Sequence, residues 1–179
     1  VTKEVAMMMD PTADPFAAPA PDADAPVERF GAKDANDLSW ANLLNAYTCT
    51  ECGRCTSECP ANLTGKKLSP RKIMMDTRDR IEEIGVNIAA NGSFVDDGRS
   101  LLGDYITNEE LWACTSCNAC VQACPVDIDP LNIIMKLRNF ATMEESSAPG
   151  ALNAMMTNVE NNGAPWPFNQ MDRANWINE

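Results

Sequence analysis

Two short stretches contain all eight cysteines of the 179-residue chain, and both follow one spacing. The first, CTECGRCTSECP, runs from Cys49 to Pro60, and the second, CTSCNACVQACP, runs from Cys114 to Pro125. In each, two residues separate the first three cysteines, three residues precede the fourth, and a proline follows it. The chain must therefore fold so that two copies of one cysteine loop are formed.

Four kinds of cysteine chemistry fit this pattern poorly. Cysteines two residues apart bridge badly as disulfides, and nothing else in the sequence indicates an oxidising compartment. A zinc site usually takes two such cysteines from each of two loops. The third and fourth thiols of each motif would then have no metal to bind. A redox dithiol would explain two of the eight cysteines. Haem of the Cys-x-x-Cys-His type is excluded because the chain has no histidine.

An iron–sulfur cubane explains the spacing. It needs one thiolate on each of four irons, and two-residue intervals let one tight loop reach three corners while its amides point at the sulfides. Gly53 and Asn118 each follow the second cysteine of a motif, and these residue types accept left-handed backbone angles. Because neither motif lacks a cysteine, we expect two [4Fe–4S] clusters.

The fourth cysteine of each motif is expected to bind the cluster of the other motif. It follows a longer interval and precedes a proline, and in two-cluster proteins of this pattern it ligates the other cubane. The predicted ligands of the first cluster are Cys49, Cys52, Cys55 and Cys124. Those of the second cluster are Cys114, Cys117, Cys120 and Cys59.

The net charge of −12 and the pI near 4.4 disfavour a nucleic-acid partner, because a phosphate backbone would be repelled. No window resembles a membrane-spanning helix or a signal peptide. We therefore expect a cytoplasmic chain without direct membrane insertion. Its start at Val1 also fits a piece of a longer protein, held at the inner face of the membrane by a missing N-terminal anchor or by a partner.

Helix signals surround both motifs. The stretch DLSWANLLNAY, from Asp37, predicts a helix with apolar residues at helical spacing. Ser69 and Pro70 predict the start of a longer helix, which Gly85 is expected to end. Residues 86–106 are expected to form an irregular connection. No stretch alternates as a strand should.

Three further helices are expected after this connection. Thr107 and Glu110 predict a capping box for a short helix that runs through Trp112. Asp129 and Pro130 repeat the cap-and-proline start seen at residues 69–70. A weaker helix is expected over residues 151–159.

The internal repeat extends beyond the cysteines into the helices that follow them. Both copies read Pro-x-x-Ile-apolar-Met-x-x-Arg, from Pro70 to Arg78 and from Pro130 to Arg138. Two copies of a cysteine loop and a helix predict a unit with pseudo-twofold symmetry, in which the apolar positions pack the copies together.

These features together resemble the alpha-helical ferredoxin family, over roughly Asp37 to Met143. Its members include the C-terminal half of the succinate dehydrogenase iron–sulfur subunit, the C subunit of heterodisulfide reductase and the iron–sulfur subunit of anaerobic glycerol-3-phosphate dehydrogenase. The resemblance rests on both motifs, the long insert between them and the proline-capped helices. Small bacterial ferredoxins place the two motifs far closer together. The resemblance implies a mainly α fold with two cysteine loops.

Three regions are expected on this basis. Residues 1–36 form a flexible linker rich in proline, alanine and aspartate, since such a composition buries too little surface to become ordered. Residues 37–145 form the alpha-helical ferredoxin domain, and residues 146–179 form a C-terminal extension.

The extension carries a second resemblance. GAPWPFNQMDRANW, with Trp166, Arg173 and Trp176, is similar to the stretch that follows the ferredoxin module in heterodisulfide-reductase-like iron–sulfur oxidoreductases. In that family a further domain with CCG motifs performs disulfide or related chemistry, often beside a membrane cytochrome. This chain has no adjacent cysteines, so a separate partner is expected to supply that chemistry. An equal alternative is that the tryptophans only pin the tail onto the helical body.

The expected function is single-electron transfer within a heterodisulfide-reductase-like complex, with no catalytic residue in this chain. The sequence has no Gly-x-Gly-x-x-Gly, no Walker loop and no histidine for acid–base work. Two alternatives are the iron–sulfur subunit of a flavin dehydrogenase of the succinate or glycerol-3-phosphate type, and a cluster-based sensor. The expected partners are redox proteins: a CCG-domain or flavin subunit, and a membrane cytochrome.

Overall fold

The computed structural model describes residues 29–178, apart from the side chains at positions 170 and 178. The expected linker over residues 1–36 lies mostly outside this part. Eight α-helices occur within the described range, and no strand does. They are α1 Trp40–Thr48, α2 Arg54–Ser57, α3 Pro60–Leu63, α4 Pro70–Asn91, α5 Asn108–Ala113, α6 Ala119–Gln122, α7 Pro130–Met143 and α8 Gly150–Asn162. The mainly α fold class is confirmed.

The two long helices α4 and α7 form the centre of the fold and begin as the repeat predicts. The hydroxyl of Ser69 accepts a hydrogen bond from the backbone N–H of Lys72, and Asp129 Oδ1 accepts one from that of Asn132, at 3.4 and 3.0 Å. Each helix has proline at its first position, where no N–H is needed. Buried residues of the two helices include Ile73, Met74, Ile133, Ile134 and Leu137. The two copies therefore pack through their apolar positions.

Helix α4 is longer than the sequence predicts, and the expected stop at Gly85 is wrong. The helix continues to Asn91 and ends at Gly92, whose φ of 78° is the left-handed C-cap conformation. Gly85 has helical neighbours on both sides, and a glycine inside a helix costs only about 1 kcal/mol relative to alanine. A stop needs the left-handed turn, which Gly92 provides.

Helix α1 turns an unexpected side toward the core. Ser39 caps it, and its buried residues are Asn42 and Ala46. The amide of Asn42 donates a hydrogen bond to Asn132 Oδ1 of α7 at 2.9 Å. Trp40 is 76% exposed, and Leu44 and Tyr47 are also exposed. Small and polar residues therefore form the contact side of this helix.

The chain before α1 is part of the packed body. Ala32 and Ala35 are buried, and the backbone N–H of Ala32 donates to the carbonyl of Lys136 at 3.0 Å. At Gly31 a Cβ atom would lie 2.3 Å from that same carbonyl oxygen, and its φ is +95°. Only glycine fits this close approach to α7.

A buried arginine fastens three segments together. The side chain of Arg80, on α4, is fully buried and donates hydrogen bonds to Asp34 before α1, and to Asp97 in the loop after α4. It also donates to the backbone oxygen of Arg99 at 2.8 Å. Hydrogen bonds from Arg80 lower the pKa of Asp97 to about 2. Arg80 thus links α4 to the segment before α1 and to the loop after α4.

The remaining helix predictions are confirmed. The Thr107–Glu110 capping box is present at the start of α5, and α8 covers residues 151–159 with one residue more at its start and three more at its end. The irregular connection predicted for residues 86–106 begins later than expected, because residues 86–91 belong to α4. Residues 92–106 are irregular, and buried Leu101 and Ile106 anchor them to the core.

Candidate iron–sulfur centre

The two cysteine loops have the same backbone shape. In the first, Glu51 and Gly53 have φ of 58° and 81°, and in the second Ser116 and Asn118 have φ of 56° and 61°. The two left-handed residues alternate with the cysteines, so the loop winds tightly. This confirms the expected role of Gly53 and Asn118, each of which precedes a four-residue helix, α2 or α6. Successive amides in such a turn form a concavity that favours negative charge.

Three cysteines of the first motif meet the fourth cysteine of the second in one cavity, here called cavity 1. Its cysteine lining consists of Cys49, Cys52, Cys55, Cys120 and Cys124. Cys124 reaches this cavity together with the segment that leads into α7, since Pro125, Ile128 and Pro130 line the same cavity.

Cavity 2 repeats this arrangement with the motifs exchanged. Its cysteine lining consists of Cys59, Cys114, Cys117 and Cys120. Residues from α4 and α7 line both cavities at equivalent positions of the repeat. Met74, Pro130 and Ile128 in cavity 1 correspond to Ile134, Pro70 and Leu68 in cavity 2. The pseudo-twofold symmetry therefore extends to the walls of both cavities.

The thiols differ in exposure within each loop. Cys59 and Cys120 are buried, whereas Cys52 and Cys117 are exposed. Burial, with a smaller contribution from Cys114, raises the pKa of Cys120 to about 11. A hydrogen bond with the backbone of Ala119 lowers the pKa of Cys117. Because a thiolate is the form that binds metal, loading the buried position must release a proton.

The donors around the thiols suit an iron–sulfur cluster. The backbone N–H groups of Ser116 and Ile128 point at the sulfurs of Cys114 and Cys124, each at 3.4 Å. Such N–H groups stabilise negative charge on cluster sulfurs. Among the described residues, no three Cys, Asp or Glu side chains are arranged to hold one metal ion. That arrangement is not what a cubane needs, because its four thiolates bind four different irons.

One arginine supports each cysteine loop from behind. Arg78 on α4 forms an ion pair with Glu51, and both belong to the first copy of the repeat. Arg138 on α7 donates to the backbone oxygens of Leu111 and Cys114, at 2.8 and 2.6 Å. Its guanidinium also lies over the Trp112 ring, 5.0 Å from the centroid. The repeat identifies these arginines in the sequence, but their contacts with the loops were not predicted.

An all-helical fold with two cysteine loops and two shared cavities defines an iron–sulfur electron-transfer domain. Residues 48–128 match the model of the 4Fe-4S dicluster domain family. The predicted family relationship and the electron-transfer role of the domain are confirmed.

Similar proteins extend the match beyond this domain. The chain is 34% identical to the "Probable iron-sulfur-binding oxidoreductase FadF" of Bacillus subtilis, over 85% of this chain and 26% of that protein. It is 31% identical to a "Probable membrane-anchored ferredoxin" of Chromohalobacter salexigens, over 87% and 25%. A Methanosarcina acetivorans protein, named as the C subunit of a ferredoxin/F(420)H(2)-dependent CoB-CoM heterodisulfide reductase, is 34% identical, over 61% and 54%. The chain thus spans about a quarter of the first two relatives and about half of the third.

The C-terminal tail places both of its tryptophans largely in solvent. Trp166 is 56% exposed and Trp176 is 74% exposed. A groove within the tail is lined by Trp166, Phe168 and Arg173. Between residues 29 and 178, no helix is both long and apolar enough to cross a membrane.

Proposed function

We propose that the domain holds two [4Fe–4S] clusters, one in each cavity. Cys49, Cys52, Cys55 and Cys124 would bind the cluster of cavity 1. Cys114, Cys117, Cys120 and Cys59 would bind the cluster of cavity 2. The observation that carries the proposal is that each cavity joins three cysteines of one motif to the fourth cysteine of the other.

The residues of this chain bind the clusters and tune their reduction potentials, and they do not perform covalent chemistry. When bound, each cubane supplies reversible one-electron chemistry. The cysteines act as ligands, and the backbone N–H groups of Ser116 and Ile128 stabilise negative charge on two of the sulfurs. The apolar side chains of Met74 and Ile134, one in each cavity, limit the access of water.

The wider role proposed is that of a relay in a heterodisulfide-reductase-like oxidoreductase complex. One similar protein is named as part of a heterodisulfide reductase, and another as an iron–sulfur-binding oxidoreductase. The donor and acceptor would be a CCG-domain or flavin protein, either on another subunit or elsewhere in a longer chain. A relative named as a membrane-anchored ferredoxin supports a position at the cytoplasmic face of a membrane, beside a cytochrome or an anchor.

The composition of protein purified without oxygen tests the cluster proposal. We expect about eight irons and eight acid-labile sulfides per chain, with a broad visible absorbance that bleaches on reduction. A preparation of the Cys52→Ser/Cys117→Ser variant, which removes one predicted ligand from each cluster, is the matched control and should hold fewer of both. Stoichiometric zinc without labile sulfide in the unaltered protein would contradict the proposal.

A further inference from the structure

The two cavities differ in charge although their thiols and backbone are equivalent. Arg54 and Arg71 line cavity 1, and both side chains are exposed. The second copy of the repeat has Ala119 and Leu131 at these two positions. Within the described part of the chain, neither arginine has a carboxylate partner. Two positive charges therefore stand at cavity 1 with no counterpart at cavity 2.

Besides Arg54 and Arg71, one described residue that lines cavity 1 is charged. Glu51 also lines this cavity, but its carboxylate is paired with the guanidinium of Arg78 behind the loop. The pair contributes no net charge. The positive charges of Arg54 and Arg71 are therefore what distinguishes this cavity electrostatically.

Cavity 2 has a lining that is apolar apart from its thiols, Thr115 and Asn118, and no described lining residue is charged. Arg138 reaches the backbone of Cys114 from behind the second cysteine loop. Its N–H groups are directed at two carbonyl oxygens, and its flat face lies on the Trp112 ring. The partial negative charges of the two carbonyl oxygens and of the ring face offset much of the positive charge of Arg138. Cys59, which lines this cavity, is buried, whereas its counterpart Cys124 in cavity 1 is half-buried, so cavity 2 is less able to accept further negative charge.

Reduction at either cavity adds one negative charge there. The electron comes from the external reductant, and no bond forms or breaks. Positive side chains that line a cavity favour this step, and an apolar, buried lining disfavours it.

We propose that Arg54 and Arg71 make cavity 1 the stronger electron acceptor of the two. This inference rests on the proposed function, because it requires a cluster in each cavity. Electrons that reach the cluster of cavity 2 then pass downhill to that of cavity 1. Because both arginines are exposed, salt should weaken the difference.

The test is a redox titration of the holoprotein, followed by low-temperature paramagnetic resonance. The signal that is perturbed by Cys52→Ser identifies cavity 1, and the one perturbed by Cys117→Ser identifies cavity 2. We expect the cavity 1 signal to have the higher midpoint potential. Arg54→Ala/Arg71→Leu, which installs the residues of the second copy, should lower its reduction equilibrium constant about tenfold, equivalent to about 59 mV.

A matched control removes two exposed arginines that line neither cavity. Arg99→Ala/Arg173→Ala changes the net charge by the same amount and should leave the separation between the two midpoints unchanged. If two cluster signals are present, equal shifts of the midpoint separation in both double variants would overturn the inference. A lower midpoint potential for cavity 1 than for cavity 2 in the unaltered protein would overturn it too. The absence of a second cluster signal would overturn the proposed function together with this inference.

Discussion

At the scale of single residues, the position of a cysteine in the sequence does not decide which cavity it lines. Cys124 is four residues from Cys120 in the chain, yet it lines cavity 1 with the first motif. Cys59 in turn lines cavity 2 with the second motif. Cys120 lines both cavities, so the two sites share a wall.

The crossed ligand sets predict how serine variants should group. Cys124→Ser should damage the same cluster as Cys52→Ser, because both residues line cavity 1. Cys59→Ser should resemble Cys117→Ser instead. Paramagnetic resonance of the four variants, with the clusters separated by potential, measures this grouping. If Cys124→Ser instead matches Cys117→Ser, each motif binds its own cluster and the proposed ligand sets are wrong.

At the scale of the helices, local sequence signals predicted where helices begin better than which side of them is buried. Ser69, Thr107 and Asp129 cap the helices that they were expected to cap, because a cap depends on neighbours three residues away. The buried side of α1 depends instead on contacts with distant parts of the chain, such as the hydrogen bond from Asn42 to Asn132 of α7, which no local pattern indicates.

Substitution by alanine should change the stability of the protein in opposite directions at Gly85 and Gly31. Gly85→Ala should stabilise the protein by about 0.5–1 kcal/mol, because the position is helical and a Cβ there meets no atom within 4 Å. Gly31→Ala is the matched contrast and should destabilise it, since its Cβ would collide with the backbone of α7. Chemical denaturation followed by circular dichroism measures both effects. Stabilisation by both substitutions would contradict the close approach of Gly31.

At the scale of the whole molecule, long-range ion pairs hold together segments that are distant in the sequence. Asp34, Arg80 and Asp97 are far apart in the sequence and belong to no recognisable motif. The cysteine loops, whose spacing is a local signal, can therefore be predicted from the sequence, whereas this network of ion pairs cannot. For the same reason the packed position of Ala32 and Ala35 has no local signal.

Loss of the central arginine should weaken the whole fold. Arg80→Met leaves the carboxylates of Asp34 and Asp97 without their buried partner and removes the link among three segments, so it should destabilise the fold clearly. Arg99→Ala removes an exposed pair with Glu83 and should cost below about 1 kcal/mol. The temperature at which the visible cluster absorbance is lost should fall clearly in the first variant and little in the second. Equal losses would show that the buried network is not central to stability.

The exchange of fourth cysteines has a consequence for assembly. With the proposed ligands, the cluster of cavity 1 ties Cys55 to Cys124, and the loop that it closes contains the whole segment from Cys59 to Cys114. The two closures are therefore nested. Once the outer loop is closed, Cys59 is four residues from Cys55 and Cys120 is four residues from Cys124, so the inner closure spans a shorter effective loop and costs less entropy. Whichever cluster is inserted first prepares the site of the other, so the chain should acquire its clusters as a pair.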